Sequence, residues 1–157
     1  LMMGTAEDTF APELAETRGM VVSILHRLAG SPTVSAEVFE DVTADDWYGQ
    51  AVAWAANEGI ASGTSAETFS PNAAVTREQL AAILYRYAKL KGYDVSKTAE
   101  ISGYADTAQV SSYAADAMRW AVGSGLMKGY PDNTLQPNGT LTRAEAATLL
   151  VWLAAKV

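Results

Sequence analysis

The sequence predicts an all-α protein built from repeated helix–loop–helix units, and three observations support this. A Thr-Arg pair begins at Thr17, Thr76 and Thr142, in each case five residues after a proline. Each proline follows a large apolar residue by two positions. After each pair, apolar residues recur with the spacing of one helix face, and repetition at a fixed spacing is typical of a repeat architecture. The three apolar faces comprise Val21, Ile24, Leu25 and Leu28; Leu80, Ile83, Leu84 and Tyr87; and Ala146, Leu149, Leu150 and Leu153.

The copies keep a constant register along the chain. The first and second are 59 residues apart, as Gly4 and Gly63 are, and the second and third are 66 apart, as Gly63 and Gly129 are. Asp41 and Asp106 are only 65 apart, so one extra residue enters the third copy after Asp106. The spacing therefore indicates three related units in one chain.

These units divide the sequence into a partial first repeat over 1–30, a second repeat over 39–92 and a third over 104–157. The linkers between them are short and do not resemble flexible tethers. We therefore expect the repeats to pack together as a single domain over 1–157.

The first repeat lacks an opening motif and a first helix, because Leu1 corresponds to Ile60. We expect its second helix, which carries Val21 and Leu28, to lack a partner within the chain. A neighbouring chain, a detached segment or a rearrangement of the other copies would then cover it. A homo-oligomer formed through the incomplete repeat is one form of this expectation.

Each complete repeat is expected to hold two helices joined by a loop rich in turn residues. In the second repeat, Asp45 or Asp46 is expected to cap a helix that begins near Trp47, and Gly59 to end it in a left-handed conformation. The third repeat follows the same pattern. The expected elements are first helices with the stripes Trp47, Ala51, Trp54, Ala55 and Tyr113, Ala117, Trp120, Ala121, loops over 60–74 and 126–141, and a second helix from Thr76 to about Leu90.

Composition and charge exclude several classes of protein. The chain is 49% hydrophobic and 18% charged, which is typical of a globular protein. A net charge of -7 argues against nucleic-acid binding. No apolar run approaches the roughly 20 residues of a membrane helix, and no signal peptide is visible. The absence of cysteine excludes disulfides and thiolate metal sites.

Two features that suggest metal binding have simpler interpretations. His26 has no cysteine, second histidine or carboxylate cluster beside it in the sequence, so we interpret it as structural. The stretch from Tyr130 to Asn133 lacks the ligand series of an EF-hand loop, so we interpret it as a turn. The sequence therefore predicts neither a metal site nor a cofactor.

The Thr-Arg-x-Glu motif has both a structural and a functional interpretation. Thr142 with Glu145 and Thr76 with Gln79 fit a capping box, in which each side chain binds a free backbone N–H of the other residue. A cation at the first helical position opposes the helix dipole, yet the chain places arginine there three times. Each arginine could pair with a neighbouring carboxylate or stack on an aromatic ring. Alternatively, it could join free helix N–H groups in holding an anion.

The aromatic residues of the first helices are predicted to lie mainly in the core. Trp47, Trp54, Trp120 and Tyr113 fall on helical stripes, which usually pack against other helices. Trp47 and Tyr113 stand at helix starts, where they could instead edge a pocket and stack on a sugar.

Taken together, these motifs resemble the S-layer homology (SLH) family. The second repeat carries Phe-x-Asp-Val from Phe39, the Gly-Ile pair at Gly59, and Phe-x-Pro and Thr-Arg further on. The third carries the corresponding motifs and ends with a complete Thr-Arg-Ala-Glu from Thr142, whereas the first and second depart from Ala-Glu. The first 30 residues resemble the second half of such a motif. The resemblance covers nearly the whole chain.

The resemblance implies a pseudo-threefold all-helical domain around a central three-helix bundle. Such domains act as non-enzymatic anchors that bind secondary cell-wall polysaccharide, or a related peptidoglycan-linked glycan, commonly through a pyruvate ketal. The chain would then be secreted, act at the bacterial cell surface or S-layer, and form a terminal part of a larger surface protein.

Carried over by position, the resemblance also implies site residues in grooves between the repeats. Arg18, Arg77 and Arg143 would meet the ligand carboxylate, since an arginine fork suits a compact carboxylate. The motif that contains Arg143 also contains Glu145. Trp47 and Tyr113 would form groove walls, and the missing half-repeat is expected to remove a wall from the groove of Arg18.

Two other functions are weighed against glycan anchoring. The repeats could mediate self-association or protein–protein contact without binding glycan. A hydrolase ranks last, because motif openings and helix caps account for the carboxylates without a catalytic pair. The sequence therefore predicts no catalytic residue.

Overall fold

The computed structural model describes residues 2–7, 9–35 and 39–156 and confirms the all-α prediction. Within that part of the chain there are isolated β-bridges but no β-strand. The predicted linker that follows Gly30 runs into residues 36–38, outside the described residues. The described residues form five α-helices, α1 (Arg18–Leu28), α2 (Gly49–Asn57), α3 (Arg77–Leu90), α4 (Ala115–Gly123) and α5 (Arg143–Ala154), with short 3-10 turns at Thr107–Gln109 and Ser112–Ala114.

The starts of α1, α3 and α5 are joined in a closed ring by three antiparallel β-bridges. Each bridge pairs the N-cap threonine of one repeat with a loop residue of the next repeat, and the third repeat returns to the first. The three second helices therefore surround one pseudo-threefold axis. The bridges are Thr17 with Ala74, Thr76 with Thr140, and Thr142 with Ala15.

The opposite ends of these helices also converge. Leu28 of α1, Tyr87 of α3 and Leu153 of α5 line a single cavity of about 460 Å³. Leu25, Leu84 and other apolar residues of the three helices are buried in one hydrophobic cluster. The predicted arrangement around a central helix bundle is therefore confirmed.

Each first helix packs against the second helix of the preceding repeat: α2 contacts α1, and α4 contacts α3. Helix α1 therefore has a partner within the chain, and among the covers expected for it this partner comes from another copy of the repeat. The second repeat covers α1, and Val21 and Leu25 are fully buried. Helix α5 is more open, with Val151 62% exposed.

The predicted start of α2 is also wrong. The Asp46 carboxylate accepts a hydrogen bond from the Thr43 N–H at 2.8 Å, so it closes a turn instead of capping the helix. Helix α2 begins at Gly49, two residues after the predicted start near Trp47. A Cβ atom at Gly49 would lie 2.2 Å from the Thr43 carbonyl oxygen. The predicted end is confirmed, because Gly59 has a φ of 68°.

The delayed helix starts determine which aromatic residues are buried. Trp54 and Trp120 lie in the core as predicted. Trp47 and Tyr113 each precede their α-helix by two residues and are 62% and 52% exposed, so the core prediction is wrong for these two. Among the described helices, none is long and apolar enough to cross a membrane.

Candidate ligand grooves between repeats

The three motif arginines are buried and tie each repeat to the next. Arg18 of the first repeat donates from Nε to the Phe69 carbonyl oxygen at 2.9 Å and from a terminal nitrogen to that of Ser62 at 2.6 Å. Both acceptors belong to the loop of the second repeat. Its guanidinium also lies 4.5 Å from the centre of the Phe69 ring. Burial lowers the pKa of Arg18, while nearby Tyr113 and Asp41 act in the opposite direction.

Arg77 makes the equivalent bonds to the third repeat. Its Nε donates to Leu135 at 2.8 Å and a terminal nitrogen donates to Lys128 at 2.9 Å, again to backbone carbonyl oxygens. Because Leu135 replaces the phenylalanine of the other copies, the aromatic contact comes from Tyr130, 4.8 Å away.

Arg143 completes the ring by binding the loop of the first repeat. It donates to the carbonyl oxygens of Phe10 at 3.0 Å and Met3 at 2.6 Å, and it lies 4.9 Å from the Phe10 ring centre. It also approaches the Glu16 carboxylate, with 3.5 Å between Nη1 and Oε2.

The backbone N–H groups at the helix starts are not free to bind an anion. Those of Arg18 and Gly19 donate to the Ala73 and Pro71 carbonyl oxygens at 3.0 and 2.8 Å, and α3 and α5 repeat this pattern. The threonine side chains cap the third position, with full capping boxes at Thr76 and Thr142 as predicted. The hypothesis of a helix N–H anion site is therefore wrong, whereas the predicted aromatic stacking of the arginines is observed.

The loops that accept the arginines share a left-handed residue before the proline. Ser70 has a φ of 57°, and Ala11 and Gln136 have similar values. In the second repeat, the two Asp41 oxygens accept from the N–H groups of Phe69 and Ser70 at 2.8 and 2.7 Å. Asp106 makes the same pair of bonds in the third repeat. The Asp of the Phe-x-Asp motif thus fixes the loop that carries the arginine acceptors.

Two related grooves open beside these arginines. Groove A, of about 420 Å³, is bounded by Arg18 from the first repeat, α3 and a loop from the second, and Tyr113 from the third. All three repeats therefore contribute to it. Its lining residues are Arg18, 62–64, Gln79, Ala82, Ile83, Arg86 and Tyr113.

Groove B occupies the position related to groove A by the threefold axis and measures about 430 Å³. Trp47 replaces Tyr113, Met20 replaces Gln79 and Arg27 replaces Arg86. Methionines make its floor more apolar than that of groove A. Its lining residues are 2–5, Met20, Ile24, Arg27, Trp47 and Arg143.

The third related position lies beside Arg77. Glu145 and Trp152 of α5 stand there in place of Gln79 and Arg86, according to the repeat register. The prediction that the groove of Arg18 loses a wall is wrong, because Tyr113 of the third repeat lines that groove.

Tyr113 is held at the edge of groove A by Glu78. The phenol donates to Glu78 Oε1 at 3.4 Å, and the same carboxylate accepts from the N–H and hydroxyl groups of Ser111. Burial and the adjacent Glu78 raise the pKa of Tyr113, while Arg18 and Arg86 partly oppose this. Tyr113 therefore lines the same groove as the guanidinium groups of Arg18 and Arg86.

The structure distributes the predicted site residues over three positions. It brings Arg18 together with Tyr113, and Arg143 together with Trp47, whereas Arg77 and Glu145 share the third position. Sequence reasoning missed the second arginine of each complete groove. Arg27 and Arg86 lie nine residues after Arg18 and Arg77, so comparing the repeats position by position could have found them.

The features considered for metals have structural roles. His26 Nε2 lies 2.8 Å from the Pro32 carbonyl oxygen, and its ring packs against Trp54. In the predicted turn, Asp132 accepts from both the N–H and hydroxyl groups of Thr134. The described residues contain no cluster of three His, Cys, Asp or Glu side chains that could hold a metal ion.

Several proteins are similar to this chain over nearly all of its length. The surface-layer 125 kDa protein of Lysinibacillus sphaericus is 31% identical over 95% of the chain, and an endoglucanase of a Bacillus species (strain KSM-635) is 31% identical over 100%. The cellulosome-anchoring protein of Acetivibrio thermocellus is 27% identical over 90%. The chain spans only 12%, 17% and 32% of the lengths of these relatives.

The family comparison matches two separate segments of the chain. The sequence profile of the S-layer homology domain matches residues 38–81 and 103–147, which together make up more than half of the chain. These segments contain the loops and the starts of α3 and α5 that build the ring. The chain belongs to the S-layer homology domain family.

Proposed function

We propose that this chain is a non-enzymatic module that anchors a larger secreted protein to the bacterial cell surface. It does so by binding secondary cell-wall polysaccharide through a pyruvylated sugar. The names of a surface-layer relative and a cellulosome-anchoring relative support anchoring. The enzymes among the relatives match over a small share of their length, which fits a module attached to separate catalytic domains.

Groove A carries the proposal for a carboxylated sugar. Arg18 uses Nε and one terminal nitrogen for backbone bonds, and its Nη1 has no hydrogen-bond partner among the described residues. Arg86 and Gln79 add donors from α3, and the half-exposed Tyr113 offers a ring face. A carboxylate with an attached sugar ring matches two guanidinium groups beside an aromatic wall.

The test is calorimetric titration with pyruvylated cell-wall polysaccharide and its pyruvate-free form. Arg86→Ala is the informative variant, because Arg86 lies outside the carbonyl network that holds the repeats together. Arg119→Ala is its matched control, since Arg119 pairs with Asp116 on the exposed face of α4. We expect pyruvate-dependent binding that Arg86→Ala weakens about tenfold and Arg119→Ala leaves unchanged. Binding of both glycan forms with equal affinity would contradict the proposal.

Self-association through α5 is the second candidate, and the exposed Val151 favours it. In this function the open face of α5 packs against another chain, and glycan plays no part. Sedimentation velocity over a range of concentrations distinguishes the two functions. Assembly that is lost in Val151→Glu but retained in Arg86→Ala, without glycan binding, would establish the alternative.

A further inference from the structure

Glu16 occupies an unusual place at the centre of the ring. Its equivalents in the other repeats are Val75 and Leu141, both apolar and buried. The Glu16 N–H donates to the Leu141 carbonyl oxygen, and its own carbonyl oxygen accepts from the Val75 N–H, each at 2.9 Å. Glu16 therefore places a carboxyl group where its two counterparts place hydrocarbon.

The Glu16 carboxyl group is fully buried, and its surroundings leave it poorly compensated. Within the described residues neither oxygen has a hydrogen-bond partner. The segments beside it contribute Val75 and Leu141, and from α5 the charged group acting on it is Arg143, at 3.5 Å. Met20 of α1 contacts the same Arg143 nitrogen at 3.3 Å. Among the described residues, the charged group beside Glu16 is thus Arg143, the motif arginine of groove B.

Groove A has no buried carboxyl group of the described residues beside its motif arginine. By the repeat register, Val75 occupies the position beside Arg18 that Glu16 occupies beside Arg143. No carboxylate of the described residues lies within 4 Å of the Arg18 guanidinium. Asp41, the nearby acid, is exposed and binds two backbone N–H groups. The two grooves therefore have similar architecture, but only in groove B does a buried carboxyl group lie beside the motif arginine among the described residues.

We propose that Glu16 sets the anion affinity of groove B, which takes up a carboxylated sugar together with a proton on Glu16, whereas groove A binds the same sugar without one. This inference rests on the proposed glycan-binding function. With Glu16 ionised, Arg143 is already neutralised, and an incoming carboxylate meets a like charge behind the guanidinium. With Glu16 protonated, the Arg143 charge is available to the ligand.

The chemistry of Glu16 places this exchange near neutral pH. Burial raises the pKa of Glu16 to about 7, although the Arg143 charge works against the increase. The pyruvate carboxylate stays ionised throughout this range. Ligand binding beside Arg143 further favours the protonated form, so binding and proton uptake are linked.

The experiment follows each groove separately with the pyruvylated fragment. Calorimetry at pH 6 and pH 8, in buffers of different ionisation enthalpy, measures proton uptake. The indole N–H resonance of Trp47, identified with Trp47→Phe, reports groove B, and the ring resonances of Tyr113 report groove A. We expect groove B to bind about tenfold more weakly at pH 8 than at pH 6, as expected for two carboxylates sharing one guanidinium. Groove A should change little.

Glu16→Gln and Glu16→Val provide the decisive comparison. Both should abolish proton uptake and give groove B at pH 8 the affinity it has at pH 6. Val75 shows that valine fits this position, so the second variant remains informative if glutamine disturbs folding. The inference would be overturned if the affinity of groove B did not depend on pH in the wild type, or if it kept its pH dependence in both variants. Glycan binding at groove A would still support the proposed function in either case. An absence of glycan binding in both grooves would overturn both.

Discussion

Arg77 and Leu135 belong to successive repeats, and the Arg77 Nε–H donates to the Leu135 carbonyl oxygen at 2.8 Å. The corresponding bonds join Arg18 to Phe69 and Arg143 to Phe10. A motif that recurs three times in the sequence therefore forms one closed circuit between repeats. Each arginine secures the loop of a neighbouring repeat, and Arg18 and Arg143 also line grooves A and B.

Arg77→Ala is expected to lower the free energy of unfolding by about 3–5 kcal/mol. The change leaves the buried Leu135 carbonyl oxygen and the partly buried Lys128 carbonyl oxygen without their arginine donor, and it removes charge-assisted bonds worth about 1.5–3 kcal/mol each. Urea denaturation followed by circular dichroism measures the loss. Arg119→Ala, on an exposed pair, should change stability by less than about 1 kcal/mol. Equal stability of the two variants would mean that the ring bonds do not hold the repeats together.

Some of this architecture could be predicted from sequence because it depends on local chemistry. The second helices, their threonine caps and the glycine ends follow from residue type and spacing, as at Thr76 and Gly59. The partner of each helix could not be predicted in this way. Repeat spacing identifies the units, but it does not specify that α2 packs on α1 of the preceding repeat.

The site was predicted only in part, and for a related reason. The positions of Arg18, Trp47 and Tyr113 follow from the motif register, but the exposure of the two aromatic residues depends on where each helix starts. Helix α2 starts at Gly49, where the close approach of the Thr43 carbonyl oxygen leaves no room for a side chain. Burial of a charged residue such as Glu16 arises only when the ring closes, so no local pattern in the sequence predicts it.

Asp41→Ala is expected to destabilise the domain by about 2–3 kcal/mol, because the N–H groups of Phe69 and Ser70 lose their acceptors. Ser70 has a left-handed backbone that a non-glycine residue adopts at a cost of about 1–2 kcal/mol. Without Asp41 this loop should relax and weaken the Arg18 bonds. Thermal unfolding measures the effect, and Asp45→Ala is the control in the same exposed segment. A loss of stability no greater than that of Asp45→Ala would contradict this role.

Tyr113→Ala is expected to weaken the binding of pyruvylated glycan at groove A about tenfold, since aromatic contacts contribute roughly 0.5–1.5 kcal/mol beyond simple burial. Tyr113→Phe keeps the ring but loses the hydrogen bond to Glu78, so it should retain most of the affinity. Calorimetric titration compares both with the wild type. Similar losses in the two variants would assign the effect to the hydroxyl group and not to ring stacking.

Glu16 should make the stability of the domain depend on pH. Because its pKa is about 7 in the folded state and 4.5 in the reference state, the folded protein binds more protons between these values. Stability should therefore fall as pH rises from 4.5 to 7, by about 2–3 kcal/mol from this residue alone. Denaturation midpoints across this range measure the slope.

Glu16→Gln isolates this contribution, because the amide keeps the size of the side chain but cannot ionise. Its unfolding free energy should fall less steeply between pH 4.5 and 7 than that of the wild type, and the two curves should diverge most above pH 7. Glu16→Leu, which copies Leu141 of the third repeat, should also be more stable than the wild type at pH 8, because replacing a buried charge with hydrocarbon is often stabilising. Parallel pH profiles for all three proteins would contradict this prediction. They would mean that Arg143 fully compensates the buried carboxylate, so that ionisation of Glu16 has no net effect on stability.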